Sequence, residues 1–137
     1  MNQSLEDLNK ATVLKAFDLL FTQHDLEAAM RYWSPDYIQH SAHIPPGRDG
    51  LFTLAGNLAP EARYENHLVM AQGDLVMTHG RFTGTGGAAN LIAADIIRLK
   101  DGVLVEHWDV LQDEATRAQS KSGRPMFGDS FPEGVAQ

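Results

Sequence analysis

The chain has 137 residues and no cysteine, with 11 basic against 18 acidic side chains and a formal net charge of −7. One domain's worth of chain with this balance excludes disulfide scaffolds, iron–sulfur clusters and thiol catalysis. It argues against a surface that neutralises nucleic-acid phosphates or an anionic membrane. No apolar run reaches the roughly 20 residues of a membrane span, and the opening MNQSLEDLNK is polar, unlike a secretory signal. The expectation is a soluble, cytoplasmic, acidic domain.

In chain order, Ser4 and Asp7 read as a capping box at a helix start. Val13, Ala16, Phe17 and Leu20 follow at helical spacing and form one apolar stripe. Asp25 caps a second short helix over 26–33, ended by Ser34-Pro35-Asp36 because proline lacks the amide to continue. Residues 37–40 read as a short extended piece, and Pro45-Pro46 lies in a loop. A third helix runs from about 51 to 58 and stops near Pro60. Beyond Pro60 the pattern alternates, giving strands over 62–72, 75–83, 91–100 and 103–112. Gly73-Asp74 and Asp101-Gly102 are the turns within the first and last pairs. Helices followed by antiparallel strands make an α+β plan. Residues 1–113 form the domain. Residues 114–137 read as a C-terminal arm, a short helical turn and then a segment lying on the surface or on a partner subunit.

The last hairpin holds the most chemistry, and its register decides which side chains meet. A two-residue Asp101-Gly102 turn sets Lys100 against Val103 and Asp95 against Trp108. A three-residue loop sets Leu99 against Val103 and Asp95 against His107, with Asp109 diagonal to them. The second register is favoured, because it gathers Ile97, Leu99, Val103 and Val105 on the face of Asp95, His107 and Asp109. Two carboxylates and an imidazole on an apolar face are a candidate proton-transfer site, since burial and a neighbouring carboxylate both raise a carboxyl pKa. The alternative is a buried polar network that fixes the sheet and does nothing more.

Six histidines are spread along the chain, and a curved sheet would let His40, His79 and His107 point into one pocket. A metal held with Asp95 or Asp109 is conceivable, but no compact ligand motif appears, and none is assigned. Among the aromatic residues Trp33, Tyr37, Phe52, Tyr64 and Phe82 are candidates to line a pocket or to fill the core, and Trp108 is assigned to packing or an interface.

Tyr32-Trp33-Ser34-Pro35-Asp36-Tyr37-Ile38-Gln39-His40, Gly47-Arg48-Asp49-Gly50, Asp95-Ile96-Ile97-Arg98 and the run Asp101 to Val110, with its Glu106-His107-Trp108-Asp109, resemble the SnoaL-like polyketide cyclases of the nuclear-transport-factor-2-like superfamily. The resemblance covers about residues 5–113. It implies a cone-shaped α+β barrel, with N-terminal helices packed on a strongly curved antiparallel sheet and a deep pocket at the wide end. It also implies homodimers or higher homo-oligomers built on the sheet. In the cyclases an aspartate serves as acid and base in an intramolecular aldol condensation without cofactor, and Asp95 matches it. In the related limonene-epoxide hydrolases an aspartate near the end of the last strand activates water, and Asp109 matches that one. The hydrolases' Arg-x-Asp pair has no clear counterpart here; Arg81 and Arg98 are the arginines considered for it. The expected catalytic set is Asp95, Asp109, His107 and His40. Trp33, Tyr37, His79 and Phe52 are expected to bind a small apolar or aromatic molecule, with no nucleic acid and no membrane involved. A non-catalytic module that binds a small molecule in the same pocket is the alternative.

Overall fold

A computed structural model describes residues 4–132. Helix α1, Leu5–Phe17, starts at Ser4, whose hydroxyl accepts from the Asp7 amide at 3.1 Å. Its predicted stripe is the buried one: Val13, Ala16, Phe17 and Leu20 are at most 3% exposed. A π-helical turn, Asp18–Thr22, extends the helix and buries Leu19, Leu20 and Phe21 in succession. Helix α2, Leu26–Met30, is capped by Asp25 as expected but ends earlier than the sequence suggested. Trp33 opens a strand instead: β1 spans Trp33–Gln39 and takes in Pro35. Helix α3 covers Gly47–Gly56.

Strands β2 (Arg63–Gln72), β3 (Leu75–Thr83), β4 (Leu91–Lys100) and β5 (Val103–Asp113) follow. With β1 they form an α+β fold with one curved, unclosed sheet in the order β1-β5-β4-β3-β2. The sheet is mixed and not purely antiparallel as expected, because β1 lies parallel to β5. The Leu104 amide donates to the Tyr32 carbonyl at 2.8 Å, and the His40 amide to the His107 carbonyl at 2.9 Å. Pro35 is tolerated because β1 is an edge strand whose register slips between Trp33 and Ile38, so the missing N–H removes no ladder bond there.

The β4–β5 hairpin follows neither predicted register throughout. Asp101 and Gly102 both have positive φ, 51° and 78°, as a two-residue primed turn requires, so Lys100 faces Val103. One step later the register shifts between Arg98 and Leu99. Leu99 faces Leu104, whereas Arg98 faces Glu106, so Val105 is the extra residue of a β-bulge. Beyond it Ile97 faces His107 and Asp95 faces Asp109. Leu104, not Val103 or Val105, joins Ile97 and Leu99 in the core.

Strand β2 is the other edge. Thr22 on the π-helical turn docks on it, its hydroxyl accepting from the Tyr64 amide at 3.0 Å and donating to the Tyr64 carbonyl at 3.2 Å. Glu6 on α1 accepts from the Gly73 amide at 2.8 Å at the strand's far end. The segment after β5 forms turns and no helix up to residue 132. It lies on the outer face of the sheet, held by buried Glu114, which accepts from the Arg81 guanidinium at 2.9 and 2.5 Å. Farther along, Phe127 sits beneath Arg81 and against His67 and His79. No helix of the described residues is long and apolar enough to cross a membrane.

Candidate active site

The concave side of the sheet, the helices and the loops around His43 and Thr85 enclose a cavity of about 480 Å³. That lies within the roughly 300–1,000 Å³ usual for small-molecule sites. Its wall is largely apolar, with Phe17, Phe21, Leu54 and Phe82 among the lining residues. Polar groups converge at one place on it: Tyr37 from β1, Asp95 from β4, and His107 and Asp109 from β5. The bulge at Val105 brings this about. It restores the alternation that the two-residue turn would have put out of step, so His107 and Asp109 share the face of Asp95.

Asp95 and His107 are 3% and 5% exposed. His107 Nε2 lies 2.7 Å from Asp95 Oδ1, and Nδ1 lies 2.6 Å from Gln39 Oε1. The Ser41 backbone amide, which can only donate, is 3.0 Å from the same Gln39 oxygen. Gln39 therefore presents an acceptor to His107, Nδ1 carries a hydrogen, and Nε2 faces the carboxyl with one proton between them. The Gln39 side-chain amide also donates to the Tyr37 hydroxyl at 3.0 Å. Ser41, Gln39, His107 and Asp95 thus form a chain in which each polar group fixes the next.

The chain ends on an atom without a partner: Asp95 Oδ2 is buried, and no side chain or backbone group among the described residues bonds to it. Burial pushes the Asp95 carboxyl up from its ordinary range; the His107 bond opposes this and nearby Asp109 adds to it. Burial also raises the Tyr37 phenol, which keeps its proton. Its oxygen accepts from Gln39, and its own hydrogen bonds to no group of the described residues.

Asp95, His107 and Asp109 offer ligand atoms that all lie within 4.8 Å of one another, the spacing of a possible cation site. Both His107 nitrogens are already engaged, however, so a metal there would first have to break the 2.7 Å bond to Asp95. Asp95 Oδ2 and Asp109 are the donors left free.

Of the residues expected from sequence, Asp95, His107, Asp109, Trp33 and Tyr37 meet at or along the cavity. His40 does not. The residues that point inward on β1 are Tyr37 and Gln39, so His40 turns outward, where it bonds Glu106 at 2.8 Å and stacks on Trp108. His79 does not either: its neighbours Thr78 and Gly80 are the buried pair on β3, which leaves His79 on the outer face with Phe127. Phe52 is core, packed edge-on against Trp33 at 5.4 Å between ring centres. Arg81 and Arg98 are both committed to outer-face carboxylates, Glu114 for the first and Asp74 with Glu106 for the second. Gln39, His43 and Asp113 were not singled out from sequence. Alternation with Tyr37 was the signal available for Gln39, and alternation with Asp109 and Leu111 the one for Asp113.

Known proteins agree with this architecture. A solved candidate polyketide cyclase from Bacillus cereus is 23% identical, with 77% of this chain and 74% of that one covered at a TM-score of 0.66. A candidate hydroxylase from Streptomyces galilaeus is 24% identical over 79% and 81% at 0.66. A candidate ketosteroid isomerase from Kribbella flavida is 15% identical over 96% of both chains at 0.69. At these identities the likeness establishes the fold alone. No curated protein matches the sequence. The family model for the SnoaL-like domain matches residues 13–107, so this chain belongs to the SnoaL-like family.

Proposed function

We propose that this protein is a proton-transfer enzyme acting on a small, apolar carbonyl compound, with Asp95 as the catalytic acid and base. The observation that carries this reading is the split role of the Asp95 carboxyl. One oxygen is locked to His107, while the other is buried and unpartnered in a carboxyl whose pKa burial has raised. A carboxylate placed this way is a stronger base than one in water, and it needs no reorganisation to meet a carbon acid.

In the proposed step a C–H bond next to the substrate carbonyl breaks and its proton passes to Asp95 Oδ2. The electron pair moves to the carbonyl oxygen, and the Tyr37 hydroxyl donates to that developing oxyanion. The proton now on Asp95 returns to the enolate at carbon, as in an isomerisation. Where the enolate carbon instead attacks a second carbonyl, as in an aldol condensation, the proton goes to the new alkoxide. Asp109 adds to the rise in the Asp95 pKa that burial chiefly causes, and its role in this reading is to hold a water or a substrate hydroxyl. The aldol outcome is the one the family resemblance favours. The chemistry needs no metal or organic cofactor.

The test is α-proton exchange of a panel of apolar ketones in D₂O, followed by NMR for the wild type and Asp95→Asn. Positioned acid–base groups typically contribute about 10²–10⁴-fold, and a loss of that size is expected in the variant. Exchange at the wild-type rate in Asp95→Asn refutes the role of Asp95. Ketones that bind without any accelerated exchange would favour the non-catalytic binding module.

A further inference from the structure

The cavity carries a charge pattern that its apolar wall does not call for. Three carboxylates line it: Asp95 and Asp109 together, and Asp113 farther along the same face of β5. None of the chain's 11 lysines and arginines lines it. Arg48 donates to the backbone carbonyl of the lining residue Trp33 at 3.2 Å but is not itself among the lining residues. Neither Asp109 nor Asp113 takes part in an ion pair or a side-chain hydrogen bond among the described residues. On the outer face, by contrast, Glu106, Asp74 and Glu114 are each matched with an arginine.

Charge can be counted without deciding where the shared proton sits. A carboxyl facing a neutral imidazole and a carboxylate facing an imidazolium have the same total. The Asp95–His107–Asp109 group is therefore net −1 in either form, and Asp113 adds a second negative charge. Low-dielectric walls focus such a potential into the cavity. Asp113 lies four residue steps beyond Asp109 along the strand, about 13 Å at the usual rise. Asp113 is exposed, ends β5 and faces Leu91, the first residue of β4 after the loop whose Thr85, Gly87, Ala88 and Ala89 also line the cavity, and we take this end as the mouth.

We propose that the ligand of this cavity is an apolar carbonyl compound bearing a protonated amine, its ammonium at Asp113 and its ring system along the wall. Compounds ending in a carboxylate or a phosphate ester meet unmatched negative charge and bind more weakly. Which end of the ligand reacts rests on the function proposed above; its charge does not.

The test uses three probes with one ring and one chain length: 2-(2-naphthyl)ethylamine, 2-(2-naphthyl)ethanol and 2-naphthylacetate, titrated calorimetrically into the whole protein at low salt. The amine is expected to bind at least about 10-fold more tightly than the acetate, with the alcohol between them. Asp113→Asn should narrow the amine's advantage over the alcohol roughly threefold, as befits an exposed pair, and leave the alcohol's affinity unchanged. Acetate binding as tight as that of the alcohol, an amine no better than the alcohol, an advantage unmoved by Asp113→Asn, or no binding by any probe overturns the proposal. If the amine binds as expected while ketones show no Asp95-dependent exchange, only the reaction assignment falls.

Discussion

Replacing Gln39 by methionine tests the hydrogen-bonded chain behind Asp95 directly. Methionine keeps the length and much of the volume of glutamine but accepts hydrogen bonds poorly. Two N–H groups lose their acceptor, His107 Nδ1–H at 2.6 Å and the Ser41 amide at 3.0 Å, and Tyr37 loses a donor at 3.0 Å. A buried polar group left unpaired costs about 1–3 kcal/mol. Gln39 is only half-buried, so the bottom of that range, about 1–1.5 kcal/mol, applies to each donor, giving about 2–3 kcal/mol in total. For a domain of this size that lowers Tm by roughly 8–12 °C. Urea unfolding at pH 7 would give the free energy. ¹⁵N NMR of the histidine rings would show whether the Nδ1–H form of His107 is lost. A variant within about 0.5 kcal/mol of the wild type, with an unchanged His107 ring spectrum, would mean that Gln39 does not fix the imidazole and that the account of Asp95 given above is wrong.

Two further predictions concern stability. Asp95→Asn should be at least as stable as the wild type at pH 7, because the carboxyl's pKa is raised in the fold and its ionisation opposes folding. That advantage should shrink as pH falls through the folded pKa toward the ordinary value near 3.8, and denaturant titrations at several pH values would detect one that grows instead. Gly80→Ala should lower stability by about 1–3 kcal/mol. A Cβ at this position would run into the Tyr64 ring, which is itself wedged against Phe17 and Phe82, and thermal unfolding reads the loss.

Strands β3 and β4 have the limits that alternation and the Gly73-Asp74 and Asp101-Gly102 turns indicated. Strand β1 was harder to see, because Leu26, Ala29, Met30 and Trp33 keep helical spacing and Pro35 speaks against a strand. What makes Trp33–Gln39 a strand is pairing with β5 at the other end of the chain, which no local pattern encodes. The β4–β5 register posed a choice between turn chemistry, which favoured two residues, and apolar alternation, which favoured three. The fold satisfies both by giving β5 one extra residue at Val105. The shared face of Asp95, His107 and Asp109 was therefore legible although the pairing was not. The outward turn of His79 was open to the same parity reasoning, since Val76, Thr78 and Gly80 are the buried positions of β3. Gln39 was hidden for another reason. Its importance lies in the Ser41 amide that orients it, and a backbone donor leaves no trace in residue type.

The docking of Thr22 and Glu6 on β2 has a consequence for how copies of this chain behave toward one another. A sheet that does not close leaves unpaired N–H and C=O groups along its outermost strands, the template on which a foreign strand can add. Along β2 the first helix and its π-helical extension occupy that template from the side. Thr22 takes both backbone groups of Tyr64, and Glu6 takes the Gly73 amide just past the strand's end. Two side chains thus occupy backbone groups at the two ends of β2, and a strand adding along its full length would have to displace them. The helix that walls the cavity also blocks both ends of the open sheet's β2 edge.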